Sequence, residues 1–331
     1  MHRGSWTSNP EQARKEAEGA KGRARRVRDV EPMTLGEAID SYFAVMERRK
    51  VTDATWQDAT RKVRNLRRFF HDDTILETIT RRDLDQFRDF RLQNKIGARI
   101  PNPRTVERDI DYLGFLIRRA RRDERYSGAD PTRDRERPVE KRTEPGFYTP
   151  NQIRELIECY RSVNYPTSGL MPHLVVALFT TGFRAAELCR LTRSNCDFKA
   201  RTWTVERKKS IQSLPMCVTA GLALQEVAGE SDELIFTRSK RATAAGRAQA
   251  LSILFDRWRE VLPAHLVEHH HPHTFRHSFQ TQLLESGAPV HHVVALMDHS
   301  KKGSMTLNYA HATPGALRET LEAAFDGLGL M

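Results

Sequence analysis

A stretch rich in charged residues and poor in apolar ones, residues 126–147, divides this sequence into two regions. It contains Gly128, Pro131, Pro138 and Pro145, and glycine and proline interrupt regular secondary structure. Apolar residues recur at helical spacing on both sides of it. Because 331 residues also exceed what one hydrophobic core usually supports, we predict two domains joined by a linker.

The changes in pattern along the chain set the predicted boundaries. Residues 1–33 mix charged residues with Gly and Ser and lack a sustained apolar period, so we expect a flexible tail or one loose helix. Residues 34–125 are predicted to form a small all-helical domain, residues 126–147 the linker, and residues 148–331 the second domain. The arginines of the linker suit either a solvated connector or a segment that runs beside a phosphate backbone.

Four helices are predicted in the first domain, each with apolar residues on one face. The first begins near Thr34, the third is capped by Thr80, and the fourth follows Pro103 and ends in a dense run of arginines. The four faces consist of Leu35, Ile39, Tyr42, Phe43 and Met46; Trp56, Val63, Leu66 and Phe70; Leu84, Phe87 and Phe90; and Val106, Ile110, Leu113 and Ile117.

The second domain is predicted to be helical except for one β-hairpin. Its first helix starts at Thr149 and Pro150, a pair that is typical of helix N-termini. Two runs of alternating apolar residues flank a charged turn at residues 207–210, and a period of two predicts strands. The fold class is therefore mainly α with a small β-hairpin or sheet. The alternating residues are Trp203 and Val205 before the turn, and Leu214, Met216 and Val218 after it.

The charge of the chain favours a polyanionic partner. The formal net charge is +11 and the isoelectric point is about 9.7, and basic side chains that release counterions from phosphates favour nucleic acid. No apolar run approaches the roughly 20 residues needed to cross a bilayer, and residues 1–33 lack the apolar stretch of a secretory signal. We therefore expect a soluble, cytoplasmic protein.

Sequence motifs for two other kinds of chemistry do not occur. Neither GxGxxG nor GxxxxGK[ST] is found, so nucleotide-dependent chemistry has no support. The cysteines include no CxxC pair, and we predict free, buried thiols rather than a metal site. The cysteines are Cys159, Cys189, Cys196 and Cys217.

The first candidate functional residue is Arg184, which follows Gly182 between two predicted helices, the second of which runs through Leu188 and Leu191. An arginine at the N-terminal edge of a helix lies beside unpaired backbone N–H groups, and this combination suits a phosphate oxygen. Glu187, one turn later, could orient Arg184 or form an ordinary solvated pair with it.

A second cluster opens a later helix with His273, Arg276 and His277, which share one helix face. The cluster offers a proton carrier beside a fixed cation. A zinc site is the alternative, because residues 269–271 are also histidines and two histidines four positions apart on a helix can bind zinc. We expect no metal, since no carboxylate lies between His273 and His277 in the arrangement of zinc peptidases.

Two further candidates, His299 and Tyr309, lie near the end of the sequence. His299 follows an apolar helix, and Tyr309 lies in the string TLNYAH. Taken singly, the histidine would simply end a helix and the tyrosine would pack against its neighbours. Their importance comes from the order in which all these pieces occur.

In order, the sequence has an arginine in TGFRAAEL, a basic hairpin, HTFRHSF, then DHS and a tyrosine in YAH. Across about residues 149–320 this set resembles the tyrosine recombinases, the phage integrase family. The resemblance implies a site-specific DNA recombinase or integrase, of the kind that mobile elements use, with a mixed α/β catalytic domain. Residues 34–125 look like the helical core DNA-binding domain of that family, with lower specificity.

The resemblance also implies roles for single residues. Arg184 and Arg276 match the two catalytic arginines, and Tyr309 matches the nucleophile that forms a 3′-phosphotyrosyl intermediate. His273 matches the histidine of the HxxR motif and His299 the later histidine. Two guanidinium groups would bind the non-bridging phosphate oxygens, while His273 would help to remove the tyrosine proton, whose ordinary pKa is about 10.

A hairpin lysine completes the catalytic set in that family. The hairpin here looks slightly shorter than usual, so Lys208 is preferred as the general acid and Lys209 is the alternative. The lysine would protonate the departing 5′ oxygen. Because a phosphotyrosyl bond conserves the energy of the broken bond, the resemblance implies a reaction without metal, ATP or another cofactor.

Two features depart from the family pattern. Asp298 stands where a glycine commonly precedes the later histidine, and its carboxylate would lie close to a phosphate site. This anion could weaken activity or position His299. The segment from His299 to Tyr309 also looks about one residue longer than usual, so the tyrosine helix could begin after a looser loop.

The expected partners are double-stranded DNA, clamped between the two domains, and further copies of this chain. Recombination of two sites needs four active subunits, which implies a tetramer on paired DNA sites; a monomer in solution is compatible with this. The apolar stripe after Tyr309 is expected to dock on a neighbouring subunit, although it could fold back on its own domain. The stripe consists of Leu317, Leu321, Ala324 and Phe325.

Three other functions remain open at this stage. A tyrosine-type topoisomerase would use much the same residues, and a catalytically silent DNA-binding or architectural protein would keep the fold alone. A histidine-based metalloenzyme would bind zinc. Neither the DNA target nor the direction of recombination can be read from the sequence, because base readout depends on the placement of side chains.

Overall fold

The computed structural model describes residues 31–94, 100–138, 145–207, 210–229, 234–236, 244–298 and 312–331. The chain forms two compact units, Met1–Lys141 and Arg142–Met331. Of the predicted tail, only residues 31–33 are among those described.

The first unit contains helices α1 (Leu35–Arg48), α2 (Asp53–Arg67), α3 (Arg81–Gln93) and α4 (Pro103–Arg122), with a 3₁₀ turn at Leu76–Thr78. The four predicted helices are thereby confirmed. Thr34 and Thr80 each accept a hydrogen bond from the third backbone N–H that follows, and the carboxylates of Glu37 and Asp83 accept the N–H of the cap residue in return. These capping boxes determine where α1 and α3 begin.

The first part of the predicted linker, residues 126–138, lies on the surface of α4. Tyr126 is buried there, and Arg135 donates from Nε to Glu107 Oε2 at 3.0 Å and from Nη2 to Asp111 Oδ1 at 2.7 Å. Because Arg135 and Glu107 are both nearly inaccessible to solvent, this segment is an ordered part of the first unit. Charged side chains of this segment form ion pairs with carboxylates on α4.

The second unit packs its helices around one that is buried along almost its whole length. The described helices are α5 (Pro150–Ser162), α6 (Met171–Thr181), α7 (Ala185–Leu188), α8 (Val218–Val227), α9 (Ala244–Trp258), α10 (Ala264–Val267), α11 (Pro272–Glu285), α12 (Val290–Met297) and α13 (Pro314–Phe325). Helix α6 is the central one, and α5, α8 and α11 pack against it. It ends at Gly182, from which the chain enters the candidate site.

The hairpin is confirmed, with shifted boundaries and one additional strand. Strands β1 (Cys196–Asp197), β2 (Thr202–Arg207) and β3 (Ser210–Pro215) form an antiparallel sheet in the order β1-β2-β3. Arg207 pairs with Ser210, so both residues belong to strands and not to the turn that was predicted for them. Met216 follows the strand, and Val218 is the first residue of α8, because the period-two pattern continues by chance into a helix start.

Helix α13 packs on its own unit. Phe325 stacks on Phe279 with ring centroids 5.4 Å apart and meets Phe179 edge-on at 5.3 Å. Asp326 accepts the backbone N–H groups of Val218 and Thr219 at 3.1 and 2.9 Å. The structure therefore corrects the expectation that this apolar stripe docks on a neighbouring subunit, because its residues are already buried in the core of the same chain.

The four cysteines are free, as predicted. Cys189, Cys196 and Cys217 are buried and Cys159 is half-buried, so the prediction of burial holds for three of them. Among the helices that the structure describes, none has the length and apolar character to cross a membrane.

Candidate active site

Arg184 is placed by the sharp turn that follows α6. Gly182 has a left-handed φ of +60°, and a Cβ at this position would lie 2.3 Å from Phe279 Cδ1. The backbone conformation and the closeness of the phenyl ring both require glycine here. Phe183 turns into the core, and Arg184 then becomes the N-terminal cap residue of α7 with its side chain 36% exposed.

Glu187 holds Arg184 in one orientation. Its carboxylate accepts the backbone N–H of Arg184 at 2.9 Å and the guanidinium Nη1 of the same residue at 2.7 Å. Because Glu187 is buried, its carboxylate is fixed in place, and the ion pair restricts the partly exposed guanidinium group of Arg184. Helix α7 ends at Leu188, earlier than the helix through Leu191 that the sequence predicted.

Arg276 lies one turn into α11 and is almost inaccessible, with 3% of its surface exposed. Its Nη1 donates to the carbonyl of Gly182 and its Nη2 to the carbonyl of Met297. Burial, together with the nearby cation of Arg184, lowers the pKa of Arg276 to about 10. The group still carries its charge at neutral pH, in a place where charge is unfavourable without an anionic partner.

The histidines of this cluster lie at the start of α11. His271 caps the helix, since its Nδ1 accepts the backbone N–H of His273 at 3.1 Å. The rings of His273 and His277 meet at right angles with centroids 4.7 Å apart. Desolvation and nearby cationic groups, above all His277 and Arg276, lower the pKa of His273 below its usual 6.5, so its neutral form is favoured.

Arg207 is a third arginine at this site, at a position where the sequence pattern predicted a turn. It is 4% exposed, and Nη2 donates to the carbonyl of Leu296 at 2.7 Å. Burial lowers its pKa, while Glu187, Asp298 and Arg184 lie close enough to influence it. The burial of Arg207 could have been predicted from the sequence, because Arg207 continues the alternation of Trp203 and Val205 on the buried face of β2.

Asp298 ends α12 in a left-handed conformation with a φ of 51°. Glycine adopts this conformation without penalty and aspartate tolerates it better than most residues, which explains why either can stand here. Its Oδ2 lies 4.0 Å from Arg184 Nη1. The carboxylate therefore occupies the edge of the space that Arg184 faces.

The zinc alternative finds little support in the positions of the histidines. Both ring nitrogens of His270 have hydrogen-bond partners: Nδ1 meets the carbonyl of Phe255 at 2.9 Å, and Nε2 meets the hydroxyl of Tyr160. His269 packs directly against Gly146. Among the described residues, no group of three or more His, Cys, Asp or Glu side chains is arranged to hold a metal ion.

Four of the predicted site residues lie outside the described residues, namely Lys208, Lys209, His299 and Tyr309. The described ones converge on the turn at Gly182 and the end of α12, where the guanidinium groups of Arg184, Arg276 and Arg207 share two nearby carboxylates, those of Glu187 and Asp298. The excess positive charge, partly withdrawn from water, suits a phosphate anion.

Comparison with known proteins gives a consistent result. Residues 147–315, about half of the chain, match the model of the phage integrase family. The tyrosine recombinase XerC of Oceanobacillus iheyensis is 29% identical over 230 residues, which cover 65% of this chain and 72% of that protein. The tyrosine recombinase XerD of the same organism is 25% identical over 300 residues, which cover 87% of this chain and 98% of that protein.

Solved structures show the same fold. The Tn1549 transposon integrase in complex with a circular intermediate DNA has a TM-score of 0.64 at 20% identity, covering 88% of this chain and 99% of that chain. A lambda integrase tetramer bound to a Holliday junction has a TM-score of 0.61 at 16% identity, covering 89% of each chain. The mainly helical fold with a small sheet is therefore that of these integrases.

Proposed function

The chain belongs to the phage integrase family, the tyrosine recombinases, and we propose that it cleaves and rejoins DNA at specific sites through a covalent bond between a 3′ phosphate and Tyr309. The observation that carries this proposal is the buried guanidinium group of Arg276, held at the carbonyls of Gly182 and Met297 beside Arg184 and Arg207. Arg276 donates to both of these backbone carbonyls and has no carboxylate in ion-pair contact among the described residues. A bound phosphate would supply the missing negative charge.

Arg184 and Arg276 are proposed to bind the two non-bridging oxygens of the scissile phosphate. In both residues some guanidinium N–H groups are used by the protein, and the remaining ones can donate to phosphate. Because Glu187 and the two carbonyls hold the guanidinium groups before DNA arrives, little reorganisation is needed when charge develops on the phosphate. His299 is proposed to complete the pocket.

In the proposed reaction the hydroxyl oxygen of Tyr309 attacks phosphorus, and the bond between phosphorus and the 5′ oxygen breaks. The tyrosine proton passes to neutral His273, and a hairpin lysine, Lys208 or Lys209, donates a proton to the departing oxygen. A 5′ hydroxyl from another strand then displaces Tyr309. One phosphodiester is replaced by another, so neither ATP nor a metal ion is required.

The proposed partners are duplex DNA and further copies of this chain. The net charge of +11 favours DNA, and the lambda integrase of similar fold has been solved as a tetramer on a Holliday junction. By analogy we propose four subunits on two paired sites. Since the apolar stripe of α13 is buried in its own unit, that stripe does not provide the proposed contacts between subunits.

A nicked suicide substrate provides the test. DNA that flanks the gene is first screened for a bound site, and nicked duplexes of that site are incubated with the protein in EDTA. We expect a protein–DNA adduct that survives denaturant and is absent with Tyr309→Phe. Tyr165→Phe, which removes a hydroxyl elsewhere in the second unit, is the matched control and should form the adduct normally.

The outcomes separate the candidate functions. Adduct formation that needs Tyr309 supports the proposal, and strand exchange between two sites separates a recombinase from a tyrosine topoisomerase. Binding of the site without an adduct would overturn the catalytic proposal in favour of a DNA-binding protein of the same fold. Loss of activity in EDTA would point to the metalloenzyme alternative.

A further inference from the structure

We propose that Arg207 is a positioning residue of the active site, which ties the hairpin to the C-terminal end of α12. This inference rests on the proposed function, because it concerns how the general acid and the phosphate pocket are held together. Arg207 is the last residue of β2 and immediately precedes Lys208 in the chain. Its side chain reaches the end of α12, which immediately precedes Asp298 and His299.

The contacts of Arg207 bridge two elements that are far apart in sequence. Nη2 donates to the carbonyl of Leu296 at 2.7 Å, and Nη1 lies 3.5 Å from the carbonyl of Ala295 and 3.2 Å from Gln212 Oε1 on β3. Arg276 donates to the next carbonyl along the helix, that of Met297. Two arginines thus satisfy consecutive carbonyls at the C-terminal end of α12, where cations are favoured.

An arginine at position 207 is less favourable for the stability of the fold than an apolar residue would be. Trp203 and Val205 occupy the same face of β2 and are buried, so an apolar residue would suit the location. Arg207 is instead a buried cation, and its Nε has no hydrogen-bond partner among the described residues. Burying a charge without a carboxylate in hydrogen-bond contact is costly, which indicates a role for Arg207 in the site that it joins.

The geometry has a direct chemical consequence. The lysine that follows β2 must deliver a proton to the 5′ oxygen of a phosphate bound at Arg276, so the hairpin and the end of α12 need a fixed separation. Arg207 supplies that connection through its hydrogen bonds to α12. Without it the phosphate would still bind, but proton delivery to the leaving group would be slower.

The test uses the full-length protein and two nicked substrates of the same site. One has the ordinary 5′ oxygen at the scissile phosphate, and the other has sulfur in its place. A thiolate leaves without a proton, since thiols have a pKa of about 8.5. We expect Arg207→Met to slow single-turnover cleavage of the oxygen substrate about 100-fold, the lower range of general-acid effects, and that of the sulfur substrate less than about fivefold. DNA binding should be unchanged.

Two further variants distinguish slower proton delivery from a general disturbance of the hairpin. Arg207→Lys keeps a cation that can reach one carbonyl, and a smaller loss with the same rescue by sulfur is expected. Arg190→Met is the matched control, because Arg190 Nη2 also donates to a carbonyl of the hairpin, that of Glu206, at 3.0 Å. We expect this control to cleave both substrates like the wild type.

Each result bears on the inference. An equal loss on both substrates, whether with Arg207→Met or with Arg207→Lys, would overturn it and indicate a role in folding or phosphate binding. Cleavage at the wild-type rate on the oxygen substrate would also overturn it while leaving the proposed function intact. If the wild type forms no adduct on either substrate, the proposed function itself fails and this inference fails with it.

Discussion

The two units treat their buried arginines differently. In the first unit, Arg91 is 2% exposed and pairs with Asp109 at 2.8 Å, and Asn65 donates to the same carboxylate at 3.0 Å. In the second unit, Arg276 and Arg207 are similarly buried, but within the part of the chain that the structure describes their hydrogen bonds go to uncharged acceptors. The first arrangement neutralises a charge within the protein, whereas the second leaves it available to a ligand.

This difference shows why the net charge alone did not locate a binding site. Arginines are abundant in both units, but in the first unit Arg88, Arg135 and Arg137 are paired with carboxylates on α4. A cation marks a candidate anion site when it is buried and lacks a carboxylate of its own. By this criterion the described residues around Gly182 stand out.

The largest effect is expected from Arg276→Met. Removing a preorganised donor to the transition state should slow adduct formation by about 10²–10³-fold. Stability should change much less, because the variant also removes a charge whose burial is unfavourable. Single-turnover cleavage and urea unfolding would measure the two effects. If a large loss of stability accounted for the loss of cleavage, Arg276 would be a structural residue like Arg91, and the contrast between the two units would be wrong.

The opposite pattern is expected from Arg91→Met in the first unit. It would leave the carboxylate of Asp109 buried without its cation, so we expect a loss of about 3–5 kcal/mol in the free energy of unfolding. Urea unfolding provides the measurement. The double variant Arg91→Met, Asp109→Asn should recover much of this loss, and chemistry measured on the folded fraction should be unaffected.

The excess charge of the second unit should also appear in the pH dependence of cleavage. In the proposed reaction His273 accepts the tyrosine proton only in its neutral form, and desolvation and nearby cationic groups hold its pKa below 6.5. Single-turnover rates measured between about pH 5 and pH 8 should therefore fall toward acid pH, with a midpoint below the usual histidine pKa of 6.5. His273→Gln should abolish this acid limb, and His277→Gln should retain it.

The smallest effect is expected from Asp298→Gly. Removing a charge 4.0 Å from Arg184 Nη1 should strengthen DNA binding about fivefold, the equivalent of roughly 1 kcal/mol between unit charges at this distance in water. Glycine should also stabilise the left-handed turn by up to about 1 kcal/mol. Asp298→Asn separates the effect of the charge from the effect of the backbone conformation, since it removes the charge and keeps a side chain. Unchanged binding in both variants would show that Asp298 does not compete with phosphate.

Much of the fold could be predicted because its signals are local. Thr34, Thr80 and Thr149 cap helices with side chains only a few residues away from their partners, and the strands of the hairpin alternate with a period of two. Strand β1, with two residues, is too short to give any periodic signal. The burial of residues 126–138 was missed because their partners on α4 are distant in sequence.

The candidate site was only partly predictable, because most of its contacts join residues that are distant in sequence. The spacing of Arg184 and Glu187 suggests their ion pair, but nothing near Arg276 in the sequence indicates that its partners are the carbonyls of Gly182 and Met297. Arg207 carried a usable signal in the alternation of β2, which its charge obscured. The catalytic roles stay predictions for all the assigned residues, namely Arg184, Arg276, His273, His299, Tyr309 and the hairpin lysines.

The geometry of this site depends on Gly182, a residue that takes no part in the proposed chemistry. One residue ends α6, leaves room for the ring of Phe279 and presents the carbonyl that Arg276 binds. A side chain at this position would meet the ring of Phe279 and shift the carbonyl that holds Arg276, although every residue proposed to contact DNA would still be present in the sequence. A related chain that keeps both arginines and the tyrosine but lacks this glycine is therefore a candidate for a silent copy, and an inventory of catalytic residues alone would misclassify it.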